Sequence, residues 1–214
     1  GTAIYWNYGT LHDCKGVSTG GGTGIEGRSN YGKVQRSYGE STSGVGLLAY
    51  YEMSDSTGVS VSGYGINAAV DPDDGGIKRC IGKSDSSAGI NCSGDNILSD
   101  CVGYSNSNHG IYNQANSELH NCSGTTISGT GIYLRNNSAR AYNCSAFADS
   151  GYAWRLQDGG RMYDCTGYSI DNHVVYNQTN YDDRISIIGC TLETETTTKN
   201  ALYNVYDKNY VAQN

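Results

Sequence analysis

Apolar residues recur along the chain at an almost constant interval, and each is followed three residues later by a cysteine. Successive cysteines of this set are separated by 21, 21, 22, 21 and 25 residues. The pairs are Ile77 with Cys80, Leu98 with Cys101, Leu119 with Cys122, Ala141 with Cys144, Met162 with Cys165 and Ile187 with Cys190. An interval this short holds two or three short strands with their turns and leaves no room for a helical hairpin. Each repeat is therefore one unit that buries its apolar side by stacking on its neighbours.

A glycine followed by isoleucine or leucine forms a second fixed element of the repeat. Gly110 and Ile111 lie nine and ten residues after Cys101, and Gly65 and Ile66 follow Ser56 at the same offset, with serine in the place of cysteine. The combined pattern predicts nine coils, keyed at positions 14, 37, 56, 80, 101, 122, 144, 165 and 190.

Each coil is predicted to contain three short strands. In one coil these are residues 110–113, residues 118–120 and a strand that begins at Cys122. Strand alternation then points Ile111 and Asn113 inward and Tyr112 outward. A column of Asp and Asn precedes the third strand, and these residues tolerate the left-handed conformation that a sharp bend requires. The column contains Asp13, Asp100, Asn121, Asn143 and Asp164.

Three-strand coils of about 22 residues with an Asn-type bend resemble the right-handed parallel β-helix of the pectate-lyase-like superfamily. The resemblance covers residues 11–205 and implies an all-β fold, a single right-handed parallel β-helix (solenoid) of about nine coils of 21–22 residues. Residues 1–10 are then an N-terminal lead-in and residues 206–214 a C-terminal tail. A β-sandwich is disfavoured, because its hairpin-linked strands do not keep one register for nine cycles.

The cysteines are predicted to be free, buried thiols. Six of them share one repeat position, which makes them equivalent core residues, and free cysteine behaves as a small buried hydrophobe. Stacked coils place like residues about 4.8 Å apart with parallel Cβ directions, which is a poor geometry for a disulfide. Disulfides are the alternative, since the even count of eight cysteines suits a secreted protein.

The composition of the chain argues against two classes of binding partner, nucleic acids and membranes. The net charge is −7 and the chain has no Lys/Arg cluster, which argues against a nucleic-acid binder. No apolar run reaches 18 residues, so no membrane insertion is predicted. The chain starts at Gly1, from which we expect a processed chain or a fragment. Neither end shows an amphipathic cap helix, so we expect other domains or sister subunits to cover the ends.

Tyrosine supplies the most suggestive surface feature. Tyr112, Tyr133, Tyr176 and Tyr203 occupy one outward position of the repeat, beside the equivalent His109 and His173. An exposed aromatic row offers flat apolar faces and hydroxyl groups to sugar rings, so Tyr112, Tyr133 and Tyr176 are candidate substrate-binding residues. Packing between subunits and the β propensity of tyrosine are alternative explanations.

A second candidate site lies at the bend that follows the Gly-Ile-Tyr-Asn strand. Asp158 and either Asp182 or Asp183 are predicted on adjacent coils there, as an acid and base or nucleophile for glycoside cleavage. Charged and aromatic neighbours are suited to hold an acidic sugar: Arg155, Arg161 and Arg184, with Trp154 or Tyr181 stacking on the ring. Alternatively the arginines neutralise the aspartates as surface ion pairs, and Trp154 occupies an inward position equivalent to Leu134.

No cofactor and no metal site are predicted. The cluster Asp71–Asp74 has carboxylates suited to calcium but lacks EF-hand spacing, so we interpret it as a solvated turn. The chain also lacks a nucleophile elbow, a P-loop and a zinc-protease motif.

The units Asp100–Ser105 and Gly110–Asn113 resemble the repeats of bacteriophage tailspikes and tail fibres. The resemblance implies a receptor-binding homotrimer of the virion, assembled in the host cytoplasm, that attaches to bacterial surface polysaccharide during phage adsorption. Two other functions stay open: a polysaccharide depolymerase (glycoside hydrolase) on the same scaffold, and a structural spacer of a longer fibre.

Overall fold

The chain folds as a parallel β-solenoid, and every regular element in the described residues is a β-strand. A computed structural model describes residues 1–27, 32–69, 75–136, 138–178 and 185–195, together with the backbone of residues 202–203. Three strands per coil form three parallel sheets of ten, nine and nine strands, close to the nine coils predicted. The predicted all-β solenoid is thus confirmed.

The three sheets, A, B and C, are each built from every third strand of the chain. Sheet A contains β1 (Ile4–Trp6), β4 (Ile25–Gly27), β7 (Leu47–Ala49), β10 (Ile66–Ala68), β13 (Ile90–Cys92), β16 (His109–Asn113), β19 (Thr130–Leu134), β22 (Tyr152–Leu156), β25 (Val175–Asn177) and β28 (Leu202–Tyr203). Sheet B contains β2 (Gly9–His12), β5 (Gly32–Gln35), β8 (Glu52–Ser54), β11 (Gly76–Lys78), β14 (Ile97–Ser99), β17 (Glu118–His120), β20 (Arg140–Tyr142), β23 (Arg161–Tyr163) and β26 (Ser186–Ile188). Sheet C contains β3 (Lys15–Ser18), β6 (Tyr38–Ser41), β9 (Thr57–Ser60), β12 (Ile81–Ser84), β15 (Val102–Ser105), β18 (Ser123–Thr126), β21 (Ser145–Ala148), β24 (Thr166–Ser169) and β27 (Thr191–Thr194).

Of the two predicted boundaries of the solenoid, only the N-terminal one lies within the described residues. Strand β1 lies within residues 1–10, the segment predicted as a lead-in, and pairs with β4 as the first strand of sheet A. Residues 206–214, predicted as a tail, lie outside the described residues.

The cysteine column lies at the corner between sheets B and C. All eight cysteines are free, and Cys80, Cys101, Cys122, Cys144 and Cys165 are fully buried, whereas Cys190 is half-buried. The Cys122 thiol donates to the carbonyl of His120 (3.3 Å), and the Cys144 sulfur accepts the Cys122 amide of the preceding coil (3.3 Å). The column side chain therefore satisfies buried backbone groups as well as filling the core.

Serine makes the same two contacts where it replaces cysteine. Ser37 donates to the carbonyl of Gln35 (2.8 Å) and accepts the amide of Cys14 (3.2 Å). The equivalence explains why the repeat accepts either residue.

The bend before sheet C has the left-handed backbone predicted for the Asp and Asn column, with φ between 51° and 56° at its five members. Three further residues of the column have the same conformation: Arg36 at 44°, Asp55 at 52° and Arg79 at 51°. Arg36 donates two hydrogen bonds to Asp13 (2.9 and 2.8 Å), and Arg79 donates two to Asp55 (2.6 and 2.8 Å). Opposite charges therefore alternate along the axis at this bend. The arginines have the left-handed conformation there, which Asn and Asp adopt more readily.

A column of serine and threonine ties successive coils together at the bend between sheets C and A. Ser60 donates to the carbonyl of Gly44 in the preceding coil (2.7 Å) and accepts the amide of Gly63 (2.9 Å). The same pair of bonds is made by Ser41, Ser84, Ser105, Thr126 and Ser169. Ala148 occupies this position in one coil, as its register with Thr126 and Ser169 in sheet C shows.

Sheets C and A approach each other so closely that their facing positions are mostly glycine. A Cβ atom on Gly103 would lie 2.1 Å from the carbonyl oxygen of Gly110. Ala146 and Ala153 replace glycine in one coil, and Trp154 packs there, fully buried and donating to the carbonyl of Thr166 (2.9 Å). The predicted inward position of Trp154 is confirmed, although its register partner is Ile132 and not Leu134.

Candidate functional site

The outward column of sheet A is a continuous row of large polar side chains. Tyr112 pairs in register with Tyr133, Tyr133 with Arg155, and Arg155 with Tyr176. We call these four residues the Tyr–Arg ladder; Tyr203 continues its backbone register. The strand neighbours Ile111 and Asn113 are fully buried, which confirms the predicted alternation.

The ladder side chains stack on one another along the solenoid axis. The rings of Tyr112 and Tyr133 are 5.1 Å apart and 16° from parallel. The Arg155 guanidinium carbon lies 4.4 Å from the centre of the Tyr133 ring and 5.9 Å from that of Tyr176. Cation–π attraction of this kind is worth about 0.5–2 kcal/mol per contact.

Stacking changes what the ladder offers to a ligand. Tyr133 is only 5% exposed, because Tyr112 and Arg155 cover its two faces. The expectation that its flat faces are open to sugar rings is therefore wrong. The ladder instead presents ring edges, hydroxyl groups and the edge of a guanidinium, which are hydrogen-bonding groups held in fixed positions.

One arginine and two glutamines hold the polar ends of the ladder. Arg135 donates to the Tyr112 hydroxyl (2.9 Å), the Tyr133 hydroxyl donates to Gln157, and Arg155 donates from Nε to the Gln178 side chain (2.9 Å). Burial raises the pKa of Tyr133, so its hydroxyl stays protonated at neutral pH. Within the described residues neither Arg135 nor Arg155 has an ion-pair partner, so the site carries net positive charge.

His109 forms the wall of the site at the start of β16. Its ring centre lies 5.0 Å from that of Tyr112 and 5.1 Å from that of Tyr133, at 57° and 73°. Burial, with a smaller effect from Arg155, lowers the pKa of His109 to about 4. The imidazole is therefore neutral at physiological pH, and its buried Nδ1 has no hydrogen-bond partner in the described structure.

Tyr152 takes the equivalent place two coils further on. It shares the register of His109 through Thr130, and its ring stacks on Tyr176 at 4.7 Å and 15°. The sequence analysis placed His173 at the equivalent position beside Tyr176, one coil after Tyr152, and missed Tyr152. Counting back three positions from Arg155, as from Tyr112 to His109, is the sequence signal that identifies it.

Asp158 connects to the ladder through one amide side chain. Gln157 accepts the Tyr133 hydroxyl and donates to the Asp158 carboxylate (3.1 Å). Asp158 has a φ of 54° in the bend after β22. The structure thus brings Asp158 together with three predicted substrate-binding residues, Tyr112, Tyr133 and Arg155.

Several predicted residues lie elsewhere. Asp182, Asp183, Tyr181 and Arg184 are outside the described residues, as is Asp71–Asp74, so the carboxylate pair stays a prediction. Arg161 begins β23 on sheet B and pairs in register with Arg140, so it faces a different side of the solenoid from Arg155. Among the described residues no group of three His, Cys, Asp or Glu side chains is placed to hold a metal ion.

Sheet C carries a shallow groove of about 340 Å³ that the sequence analysis did not find. Phe147 and Tyr168 form its aromatic part, with ring centres 5.7 Å apart and planes within 11°. Small residues, Ser145, Thr166 and Thr191, also line it. The Tyr168 hydroxyl donates to Glu195, and this bond raises the pKa of Tyr168 to about 12. Tyr168 was noted as a repeated aromatic, but a concavity depends on the small residues beside it.

No protein-family model, curated protein or solved structure matches the chain. The described residues include no helix with the length and apolar character needed to cross a membrane. The functional argument therefore rests on the fold and on the chemistry of the Tyr–Arg ladder.

Proposed function

We propose that the chain is the β-helical part of a phage tailspike or tail fibre that attaches to bacterial surface polysaccharide. The Tyr–Arg ladder supports this proposal, because it aligns hydrogen-bonding groups along four successive coils at the inter-strand spacing of about 4.8 Å. A linear polymer lying parallel to the solenoid axis meets a similar set of groups at each step.

The polar groups of the ladder favour a polysaccharide with acidic sugars. Arg155 and Arg135 supply guanidinium groups that are not neutralised by a carboxylate in the described structure, and guanidinium binds carboxylate in a bidentate manner. The hydroxyl groups of Tyr112 and Tyr133 add donors and acceptors for sugar hydroxyls. Because stacking already fixes these side chains, little rotamer entropy is lost on binding.

Two further properties of the chain are compatible with the same assignment. All eight cysteines are free thiols, which suits assembly in the reducing cytoplasm of a host cell. Solenoid ends expose unpaired strand edges, and a homotrimer with parallel axes, joined to the other domains of a fibre, would protect them.

The experiment measures binding of the chain to capsular and O-antigen polysaccharides by isothermal titration calorimetry. An acidic polysaccharide should bind, and Arg155→Gln should weaken binding about tenfold or more, because a hydrogen bond between charged groups contributes about 1.5–3 kcal/mol. Lys83→Gln is the matched control: it removes one positive charge from the exposed face of sheet C and should leave the affinity unchanged. Equal loss in both variants would indicate general charge attraction and would contradict the assignment to the ladder.

Cleavage is a second candidate function, favoured by the hydrogen-bonded connection from Tyr133 through Gln157 to Asp158. This connection leaves a carboxylate at the edge of the ladder, where a glycosidic bond of a polymer bound along the ladder would pass. Release of reducing ends from a polysaccharide that binds is the test. Asp158→Asn should abolish release while binding persists; release at the parental rate would move the chemistry away from Asp158. A chain that binds no polysaccharide at all would favour the structural spacer.

A further inference from the structure

The outer face of sheet B carries a charged column beside an aromatic column. Glu118, Arg140 and Arg161 follow one another in register on β17, β20 and β23. His120, Tyr142 and Tyr163 follow one another two residues further along the same strands. We call these six residues the sheet B strip.

The charged column has more positive than negative charge. Glu118 accepts from Arg140 (3.3 Å) and contacts His120 (3.3 Å), so the one carboxylate is already shared between two partners. Arg161 is exposed, forms no ion pair in the described structure, and has the neutral Ser186 as its next partner in register. A surplus of guanidinium is notable in a chain whose net charge is −7.

The two arginines stand directly opposite each other on neighbouring strands. Residues in that relation have Cβ atoms about 4.5–5.5 Å apart, and like charges there are destabilising. An anion between the two guanidinium groups converts this repulsion into two attractions. Binding of an anion at this point would therefore stabilise the folded chain.

The aromatic column of the strip is a continuous stack of rings. The ring centres of His120 and Tyr142 are 4.9 Å apart and those of Tyr142 and Tyr163 are 5.0 Å apart, with planes within 10° of parallel. Stacked faces leave only ring edges and the two phenol hydroxyls toward solvent. These hydroxyls are additional donors beside the arginines.

We propose that the sheet B strip is a binding site for an oxyanion, a carboxylate, phosphate or sulfate group, held between Arg140 and Arg161. Planar guanidinium groups match the oxygen spacing of these anions. The site is separate from the Tyr–Arg ladder, which lies on sheet A, and it does not depend on the function proposed for the ladder.

The test is a titration of the full chain with inorganic sulfate, followed by NMR of the arginine Nε–Hε groups. The signals of Arg140 and Arg161 should shift and saturate in the millimolar range, while that of Arg36 stays in place because the Asp13 carboxylate already binds it. Arg161→Gln should weaken the response of Arg140 about tenfold or more, and Lys83→Gln, the control on sheet C, should leave it unchanged. Uniform, non-saturating shifts of all arginines, or a response of Arg140 that survives Arg161→Gln, would overturn the site.

The same chemistry serves a free anion and an anionic group on a polymer, and a second arm separates them. Dextran sulfate is compared with neutral dextran and with inorganic sulfate at equal sulfate concentration. Tighter binding of dextran sulfate that is lost in Arg161→Gln assigns the strip to a polymer, whereas equal affinity per sulfate assigns it to a free anion. Equal binding of neutral dextran and dextran sulfate would contradict the proposal.

Discussion

Replacing Gly103 with alanine should destabilise the solenoid, although alanine is usually the more favourable residue in a strand. Gly103 lies on the inner face of sheet C, where it meets the backbone of sheet A. A Cβ atom there would lie 2.1 Å from the carbonyl oxygen of Gly110 and 2.7 Å from Cγ1 of Ile111. The obstacle is a backbone carbonyl in a paired strand, so it has no alternative rotamer.

The expected magnitude follows from the size of this overlap. Ordinary contact begins at 3.4 Å, so the two sheets must separate locally by roughly 1 Å. Overpacking of this kind costs about 1–3 kcal/mol, and a rigid obstacle places the cost near the upper value. The smaller backbone entropy of alanine in the unfolded chain returns about 0.4–1 kcal/mol. The net loss should be about 2 kcal/mol, which lowers the melting temperature by about 4–8 °C in a chain of this size.

Urea unfolding followed by circular dichroism measures the difference. Ala146→Gly is the matched control, because Ala146 occupies the same column, two coils on, where the fold already contains a buried methyl group. It should also lower the free energy of unfolding, by about 1–2 kcal/mol, through loss of a buried methyl group and added backbone entropy. Gly103→Ala and Ala146→Gly, which are opposite exchanges at equivalent positions, should thus both lower the free energy of unfolding. A Gly103→Ala variant within about 0.5 kcal/mol of the parent would refute the close backbone contact.

Three further predictions concern the columns and the site. Ala148→Ser should raise the free energy of unfolding by about 1 kcal/mol in urea titrations, because the hydroxyl restores the bonds to the carbonyl of Gly129 and the amide of Gly151; an unchanged value would count against the column. Cys122→Ser should be tolerated, as Ser37 shows at an equivalent position, whereas Cys122→Asp should prevent folding by burying a charge; an equal effect of both, seen in circular dichroism, would contradict this. The pKa of His109 falls from 6.5 to about 4 on folding, so below pH 6.5 the unfolded chain binds a proton that the folded chain does not. The free energy of unfolding is therefore unaffected by His109 above pH 6.5 and decreases as the pH falls toward 4, by at most about 3 kcal/mol. The parent should therefore lose more stability than His109→Phe across that range, and identical pH profiles would show that His109 is not buried as described.

The repeat made the architecture predictable because each inner position has a narrow requirement. The corner needs a side chain small enough to be buried and able to hydrogen-bond, which restricts it to Cys80 and its equivalents or to a serine such as Ser37. The bend needs a residue that tolerates a positive φ, which accounts for Asn121 and Asp164. The positive φ of Arg36 and Arg79 was not predicted, because arginine has no intrinsic preference for that conformation. The carboxylates that bind these two arginines belong to neighbouring coils.

The candidate site was predictable only as a set of outward positions. Strand alternation placed Tyr112, Tyr133 and Tyr176 on one face, and register confirmed it. Side-chain direction along the axis was not predictable, because an outward residue can lean toward either neighbouring coil or into solvent. That direction decides whether the faces of Tyr133 are open or covered. Arg161 was grouped with Arg155 because both are near the same bend in sequence, yet the bend ends between them, and they belong to different sheets.

The two halves of the solenoid stabilise their outer surfaces in different ways, and this difference locates the binding capacity. In the N-terminal half, described ion pairs join neighbouring coils, as between Arg36 and Asp13 and between Lys33 and Glu52. In the C-terminal half, the ion pair between Glu118 and Arg140 is accompanied by aromatic stacks on all three sheets, at Tyr112 and Tyr133, at Tyr142 and Tyr163, and at Phe147 and Tyr168. An ion pair satisfies both of its members, whereas an arginine beside a stacked ring keeps hydrogen-bond donors available for a ligand. Arg155 lies against the stacked ring of Tyr133, and Arg161 forms no ion pair in the described residues, which is why the proposed contacts with acidic groups lie in the C-terminal half.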